Sequence, residues 1–283
     1  MNDVHNALEK AFSLIKSSDT TGMDAVETRS VRFEPAEAKG MNSMRPNNPC
    51  IVAYANPDSP IAEEYRKLKT VLLRMTRDEF RNTLMVTSSV SGEGKSVTSA
   101  NLAVMLAREY GQTVLLIDSD LRRPSLHEYL GMAPRVGLAD CLEDRIDAGS
   151  AIVKTGIPKL SFMSAGKKVE NPGELLSSQR MKEFLLELKH RYRDRYIIID
   201  TPPILLFAET HAMSLLVDGV LVVVKEGGVS LKGVTQMFDI LKDSSVLGIV
   251  YNDASVTSLG GRYYHHYQHY YHEDRHGKKQ KKP

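Results

Sequence analysis

With 283 residues, of which 42% are apolar and 25% charged, the chain has an ordinary globular composition and room for one large α/β domain with flanking arms. A net charge of only +2 argues against a nucleic-acid partner, and two distant cysteines, Cys50 and Cys141, argue against a disulfide framework and for a reducing compartment. The first thirty residues lack the basic-then-apolar order of a signal peptide, and no apolar run approaches the ~18–20 residues that span a bilayer. The expected location is therefore cytoplasmic, with any association at the inner face of the membrane peripheral or through a partner.

Residues 1–17 carry Val4, Leu8, Phe12 and Ile15 at helical spacing, a short amphipathic helix that either docks on the body or serves as an adaptor for another protein. From 18 to 57 the rhythm is lost and Gly, Pro, Asn and charge increase, as in a linker. A helix is predicted from Ser59-Pro60, an N-cap followed by proline in the first turn. Ile61, Tyr65, Leu68, Leu72 and Met75 fall on one of its faces, and Glu63, Arg66 and Lys69 on another. The charged face reads either as a solvated surface with local ion pairs or as a subunit contact.

The next stretch organises the chain. A β-rich run, TLMVTSS, enters the turn VSGEGKS, and the apolar-striped VTSANLAVMLAREY leaves it. Strand, glycine-containing turn and helix, with Gly-Lys-Ser at 94–96, make the core of a Walker A phosphate loop. In such a loop backbone N–H groups turn toward phosphate oxygens, and the helix adds its positive end. Ser91, Gly92, Glu93, Gly94, Lys95, Ser96 and Val97 are the candidate nucleotide cradle, with Lys95 reaching the β/γ-phosphates and Ser96 taking one position on Mg²⁺. Ser89 stands where the motif's first glycine is expected.

Beyond it the pattern alternates. Strands are predicted at 84–88, 113–117, 159–163, 195–199, 219–224 and 246–251, and helices at 95–109, 174–192, 208–216 and 229–242. This predicts a doubly wound, mostly parallel sheet with helices on both faces and a ligand at the strands' carboxyl ends. Asp118 and Asp120 leave one strand end, and Asp200 closes another before Thr201-Pro202-Pro203. Any one of them could be a cap or turn residue. Three beside a phosphate loop suit Mg²⁺ binding, by Asp118 and Asp200 together with Ser96, and proton acceptance from an attacking hydroxyl.

SGEGKS, VLLIDSDLRRP and YIIIDTPP resemble the Walker A, A′ and B motifs of the bacterial tyrosine kinases (BY-kinases), P-loop autokinases that share a fold with MinD/ParA ATPases. The resemblance runs from about Ser59 to Asp253 and takes in NPGELLSS at 171–178 and GIVYN at 248–252. It implies a kinase domain over 58–253 that uses ATP and Mg²⁺, with Lys95, Asp118, Asp120 and Asp200 catalytic and Asn252 near the adenine. Asp118, with Asp120 as rival, would receive the tyrosine proton. It also implies a transient ring-like homo-oligomer, a separate membrane-spanning polysaccharide co-polymerase, a role in exopolysaccharide polymerisation and export, and an opposing tyrosine phosphatase. The family's oligomerisation pattern Glu-x-x-Arg-x-x-Arg here reads Glu63-x-x-Arg66-x-x-Lys69, and the lysine lacks arginine's planar fork.

The remaining segment, 254–283, is polar and expected to be mobile. Five of the chain's twelve tyrosines lie in it, at Tyr263, Tyr264, Tyr267, Tyr270 and Tyr271, with no alternation that would bury them. They could stack on RNA, and the interleaved histidines could bind metal. Beside a phosphate loop and its acidic group, a phosphoacceptor cluster explains more. About ten residues separate Asn252 from Tyr263, at most ~33–36 Å, which reaches the chain's own site or a neighbour's; the resemblance favours transfer between chains. The main alternative is a MinD/ParA-like ATPase acting as an assembly switch, but Val90 occupies the position of that group's signature lysine. A catalytically silent interaction module is the other.

Overall fold

The computed structural model describes residues 48–77, 81–133, 135–191 and 194–255. The expected N-terminal helix, the linker as far as residue 47 and the whole tyrosine cluster lie outside the described residues.

The elements are α1 (Val52–Ala55), α2 (Pro60–Thr76), β1 (Thr83–Ser88), α3 (Lys95–Ala107), β2 (Thr113–Asp118), α4 (Leu126–Tyr129), α5 (Leu138–Glu143), α6 (Ala148–Ala151), β3 (Ile152–Lys154), β4 (Leu160–Met163), α7 (Pro172–Leu176), α8 (Gln179–Arg191), β5 (Arg195–Asp200), α9 (Ala208–Ser214), β6 (Gly219–Lys225), α10 (Leu231–Ile240) and β7 (Val246–Asn252). The seven strands form one sheet in the order β3-β4-β2-β5-β1-β6-β7. Every pairing is parallel except β3 with β4.

Both sheet faces are covered, so the inner strands are buried along almost their whole length, with apolar middles. Leu84, Val86, Val114, Leu116, Tyr196 and Ile198 meet α3, α2 and α1 on one face. Met85, Leu115, Ile117, Ile197 and Ile199 meet Met181, Phe184, Leu185 and Leu188 of α8 on the other. Val220, Val222 and Val224 meet Met237 and Leu241 beside α10.

All six predicted strands are present, each within a residue or two of its expected limits. The edge strand β3 and the one-turn helices α4, α5 and α6 are too short to show a period and were not expected. The single helix expected over 174–192 is two, because Ser178 turns its Oγ to accept from Met181 N at 3.2 Å and caps a new helix.

Two corrections concern the edges of the domain. Residues 48–57 are not linker: Ile51 and Ala53 are fully buried, and Asn101 of α3 holds this strap by accepting from Ala53 N (2.9 Å) and donating to Cys50 O (2.8 Å). Ile51→Ala should cost about 2–5 kcal/mol in denaturant unfolding, the usual cost of truncating a buried aliphatic side chain, where a linker residue would cost nothing measurable. On α2, the N-cap is as expected, with Ser59 Oγ accepting from Ala62 N at 3.1 Å. Its buried stripe takes in Tyr65, Leu68 and Leu72 as expected, together with Ala62 and Thr76, but leaves Ile61 (59%) and Met75 (43%) exposed. Tertiary packing keeps the middle of the expected face on the core and leaves its two ends outside, and Thr76 is drawn in by a 2.7 Å hydrogen bond with Tyr196 OH.

Candidate active site

The site lies at the carboxyl ends of the central strands. β1 ends at Ser88, and the chain turns through 89–94 into α3. Gly92 (φ 85°) and Gly94 (φ 92°) take left-handed conformations that a side chain would strain. The backbone N–H groups of Gly92, Glu93, Gly94, Lys95 and Ser96 find no acceptor among the described residues. A run of orphan donors at a helix N-terminus is what a phosphate group would satisfy.

Strand register brings the carboxylates together. Asp118, last in β2, is paired in register with Asp200, last in β5, and both are fully buried. Asp120 is 5% exposed. Lys95 Nζ donates to Asp120 Oδ2 at 2.8 Å and lies 3.5 Å from Asp200 Oδ2. Ser96 Oγ donates to Asp200 Oδ2 at 2.6 Å, and Ser99 Oγ to Asp200 Oδ1 at 3.0 Å. Asp118 Oδ2 accepts from the backbone of Ser125 and Leu126, both at 3.0 Å, and its Oδ1 from Asp120 N at 3.2 Å. Thus the structure gathers Lys95, Ser96, Asp118, Asp120 and Asp200.

Charge in this space is unbalanced, with three buried carboxylates around one ammonium. Burial and the neighbouring Asp200 push Asp118 up to about 8 against the pull of the Leu126 N–H. Burial likewise raises Asp200, against Lys95 and the two serine hydroxyls. For Lys95 burial acts downward, but the facing Asp200 and Asp120 outweigh it and the ammonium is held above its usual value. A carboxyl raised this way favours the folded chain fully below its ordinary pKa, and the benefit is lost as pH rises through about 8. In nucleotide-free and Mg²⁺-free buffer, the denaturant midpoint should therefore fall between pH 6 and pH 9.

The residues fit Mg²⁺ and a nucleotide. No ready-made cage of three His, Cys, Asp or Glu ligands occurs among the described residues. Mg²⁺ does not need one, since it commonly takes one or two carboxylates and completes its shell with water and substrate phosphates. Ser96, Asp200 and Asp118 would supply hard oxygen ligands, and the surplus negative charge favours a divalent ion.

Other expected residues are placed differently. Asn252, at the end of β7, reaches the loop itself and donates from Nδ2 to Glu93 O at 2.8 Å. Val97 accepts from Asn101 Nδ2 through its carbonyl, while Ser91 and Gly92 form the exposed outer turn. On α2, Glu63 pairs with Arg66, Arg66 donates to Pro57 O, and Lys69 pairs with Glu109 at 2.5 Å. Two partnerships were missed in the sequence. Ser99 lies three residues after Ser96 on the same helix face, a spacing that could have identified it. Arg122, which pairs with buried Glu209 at 2.7 Å and stacks 4.4 Å from the Phe207 ring, carries no local signal.

Fold and site together define a P-loop nucleotide-binding α/β protein. Residues 82–246 match the family model described as AAA domain. The chain is 34% identical over 204 residues to tyrosine-protein kinase YwqD of Bacillus subtilis, covering 71% of this chain and 85% of that one. It superposes on the kinase domain of Escherichia coli tyrosine kinase ETK with a TM-score of 0.66 at 28% identity, over 72% of this chain and 82% of the other. It is also 29% identical over 227 residues to the succinoglycan biosynthesis transport protein ExoP of Rhizobium meliloti, covering 78% of this chain but only 28% of ExoP. The chain belongs to the bacterial tyrosine kinases. Among the described residues, no helix is long and apolar enough to cross a membrane.

Proposed function

We propose that this kinase phosphorylates the tyrosine cluster of its own tail, Tyr263, Tyr264, Tyr267, Tyr270 and Tyr271, between chains of a homo-oligomer. The observation that carries the reading is the convergence of Lys95, Ser96 and three buried aspartates on a loop of unpartnered N–H groups. ATP with Mg²⁺, when bound, supplies the transferable phosphoryl group and neutralises part of its charge. Lys95 balances the negative charge of the transferred group, and the loop N–H groups fix its position. Asp200 orients Ser96 and Ser99. Asp118 accepts the tyrosine proton; Asp120, tied to Lys95 at 2.8 Å, is the rival. A strong base is not required, because phosphoryl transfer is largely dissociative and the proton can leave late.

Asn252 would also border the adenine. Glu63 and Arg66, beside exposed Ile61 (59%) and Val71 (55%), support a subunit contact on α2. Lys69 is held by Glu109 and would contribute less than an arginine fork. The name of ExoP supports a place in exopolysaccharide polymerisation and export, with a separate membrane-spanning co-polymerase as partner and a tyrosine phosphatase to reset the tail. Incubating the purified chain with Mg·ATP should place phosphate within 263–271 by mass spectrometry. ATP hydrolysis without phosphotyrosine would favour the assembly-switch ATPase instead.

A further inference from the structure

We propose that Glu93 is a positioning residue that staples the phosphate loop to the end of β6, and that through Asn252 the same staple joins the loop to the root of the tail. This rests on reading the loop as the nucleotide cradle. A carboxylate in a loop built for a polyanion is electrostatically out of place unless it is turned away and neutralised by donors. The glycines on both sides, in left-handed conformations, reverse the chain around Glu93, and the residue is only 1% exposed.

Its partners span three parts of the fold. Oε2 accepts from Ser89 Oγ at 2.5 Å and from Val90 N at 2.9 Å, so it closes the loop's entry on itself. Oε1 faces Lys225 N at 3.3 Å, where β6 ends. The Glu93 carbonyl accepts from Asn252 Nδ2, and a Cβ on Gly94 would stand 2.2 Å from that same nitrogen. Contacts continue outward from there. Glu226 N donates to Asn252 O at 3.0 Å, Lys225 Nζ pairs with Asp253 Oδ2 at 2.8 Å, and the Glu226 carboxylate takes both Ser255 N and Ser255 Oγ. The path from Ser89 to Ser255 is therefore continuous.

The arrangement accounts for Ser89, whose hydroxyl Glu93 requires and whose position a glycine would leave without a donor. It also has a thermodynamic consequence. A loop held in shape before ligand arrives binds with less ordering cost, and a ligand that tightens the loop must tighten the tail root, because coupling between sites is reciprocal.

Glu93→Gln keeps the size but puts an NH2 donor where a carboxylate oxygen accepted, facing either Val90 N or Lys225 N according to the amide's orientation. We expect fluorescent Mg·ADP to bind this variant about tenfold more weakly or worse, and KM for ATP to rise more than kcat falls. Ser89→Ala should weaken binding in the same direction, and the double variant should be little worse than Glu93→Gln alone, since both break one link. Nucleotide should slow amide exchange at 225–226 and 252–253 in the wild-type chain but not in Glu93→Gln. Should Glu93→Gln lose its cooperative melt, Ser89→Ala carries the same exchange and affinity readouts. Wild-type chain that binds while both variants bind equally well overturns the staple alone. Wild-type chain that binds no nucleotide overturns the reading of the loop, and the staple's purpose with it.

Discussion

Replacing Lys95 by methionine should lower tail phosphorylation by about a thousandfold or more, because the proposed mechanism loses the cation that would face the transferring phosphoryl group. The geometry makes the lysine irreplaceable. It lies within 4 Å of both Asp120 and Asp200 and is, among the described residues, the cation brought into their buried space. Its removal also leaves those carboxylates without a partner, so the apo chain should lose stability, with proton uptake by Asp118 and Asp200 softening the loss. The same variant tests the direction of transfer. When Lys95→Met chain is mixed with active chain whose five tail tyrosines are phenylalanine, label can appear only on the Lys95→Met tail and only by transfer between chains. An unlabelled mixture, beside a labelled wild-type control, would show that each chain modifies itself.

Full tail phosphorylation should reduce the average oligomer mass in light scattering, and phosphatase treatment should restore it. Each phosphotyrosine adds roughly −1.5 to −2 charges near neutral pH, so five add on the order of −8 to −10. A neutral tail can approach a site lined by Asp118, Asp120 and Asp200, whereas a tail carrying that charge is repelled from it. If tail and neighbouring site hold the ring together, repulsion ends the contact and the cycle. The effect should shrink at high salt, where exposed charges are screened over about 3 Å at 1 M. Equal masses for the two forms at low salt would remove the switch from the proposal.

Parts of this site were written plainly in the chain. Gly94-Lys95-Ser96 between an apolar run and an amphipathic helix identified the loop, and Asp118 and Asp200 were visible as acidic ends of β-like runs. Other parts were not. The role of Ser89 read as a departure from a motif until the structure placed its hydroxyl on Glu93. Residues 48–57 carry the composition of a linker, yet Asn101 and the buried Ile51 make them part of the core. Of the apolar face expected on α2, Tyr65, Leu68 and Leu72 pack on the core, while Ile61 and Met75 at its ends stay exposed and Ala62 and Thr76 are buried instead.

By itself the sequence determined the parallel α/β architecture, the loop and its lysine, and the list of carboxylates, since period, turn chemistry and strand ends are properties of neighbouring residues. Tertiary structure alone decided that β5 inserts between β1 and β2, so that Asp200 stands in register with Asp118 and within reach of Ser96. It also decided that Asn252 closes on Glu93. Which strand ends become neighbours depends on sheet order and on burial of both faces at once, and no local pattern in the chain contains that information.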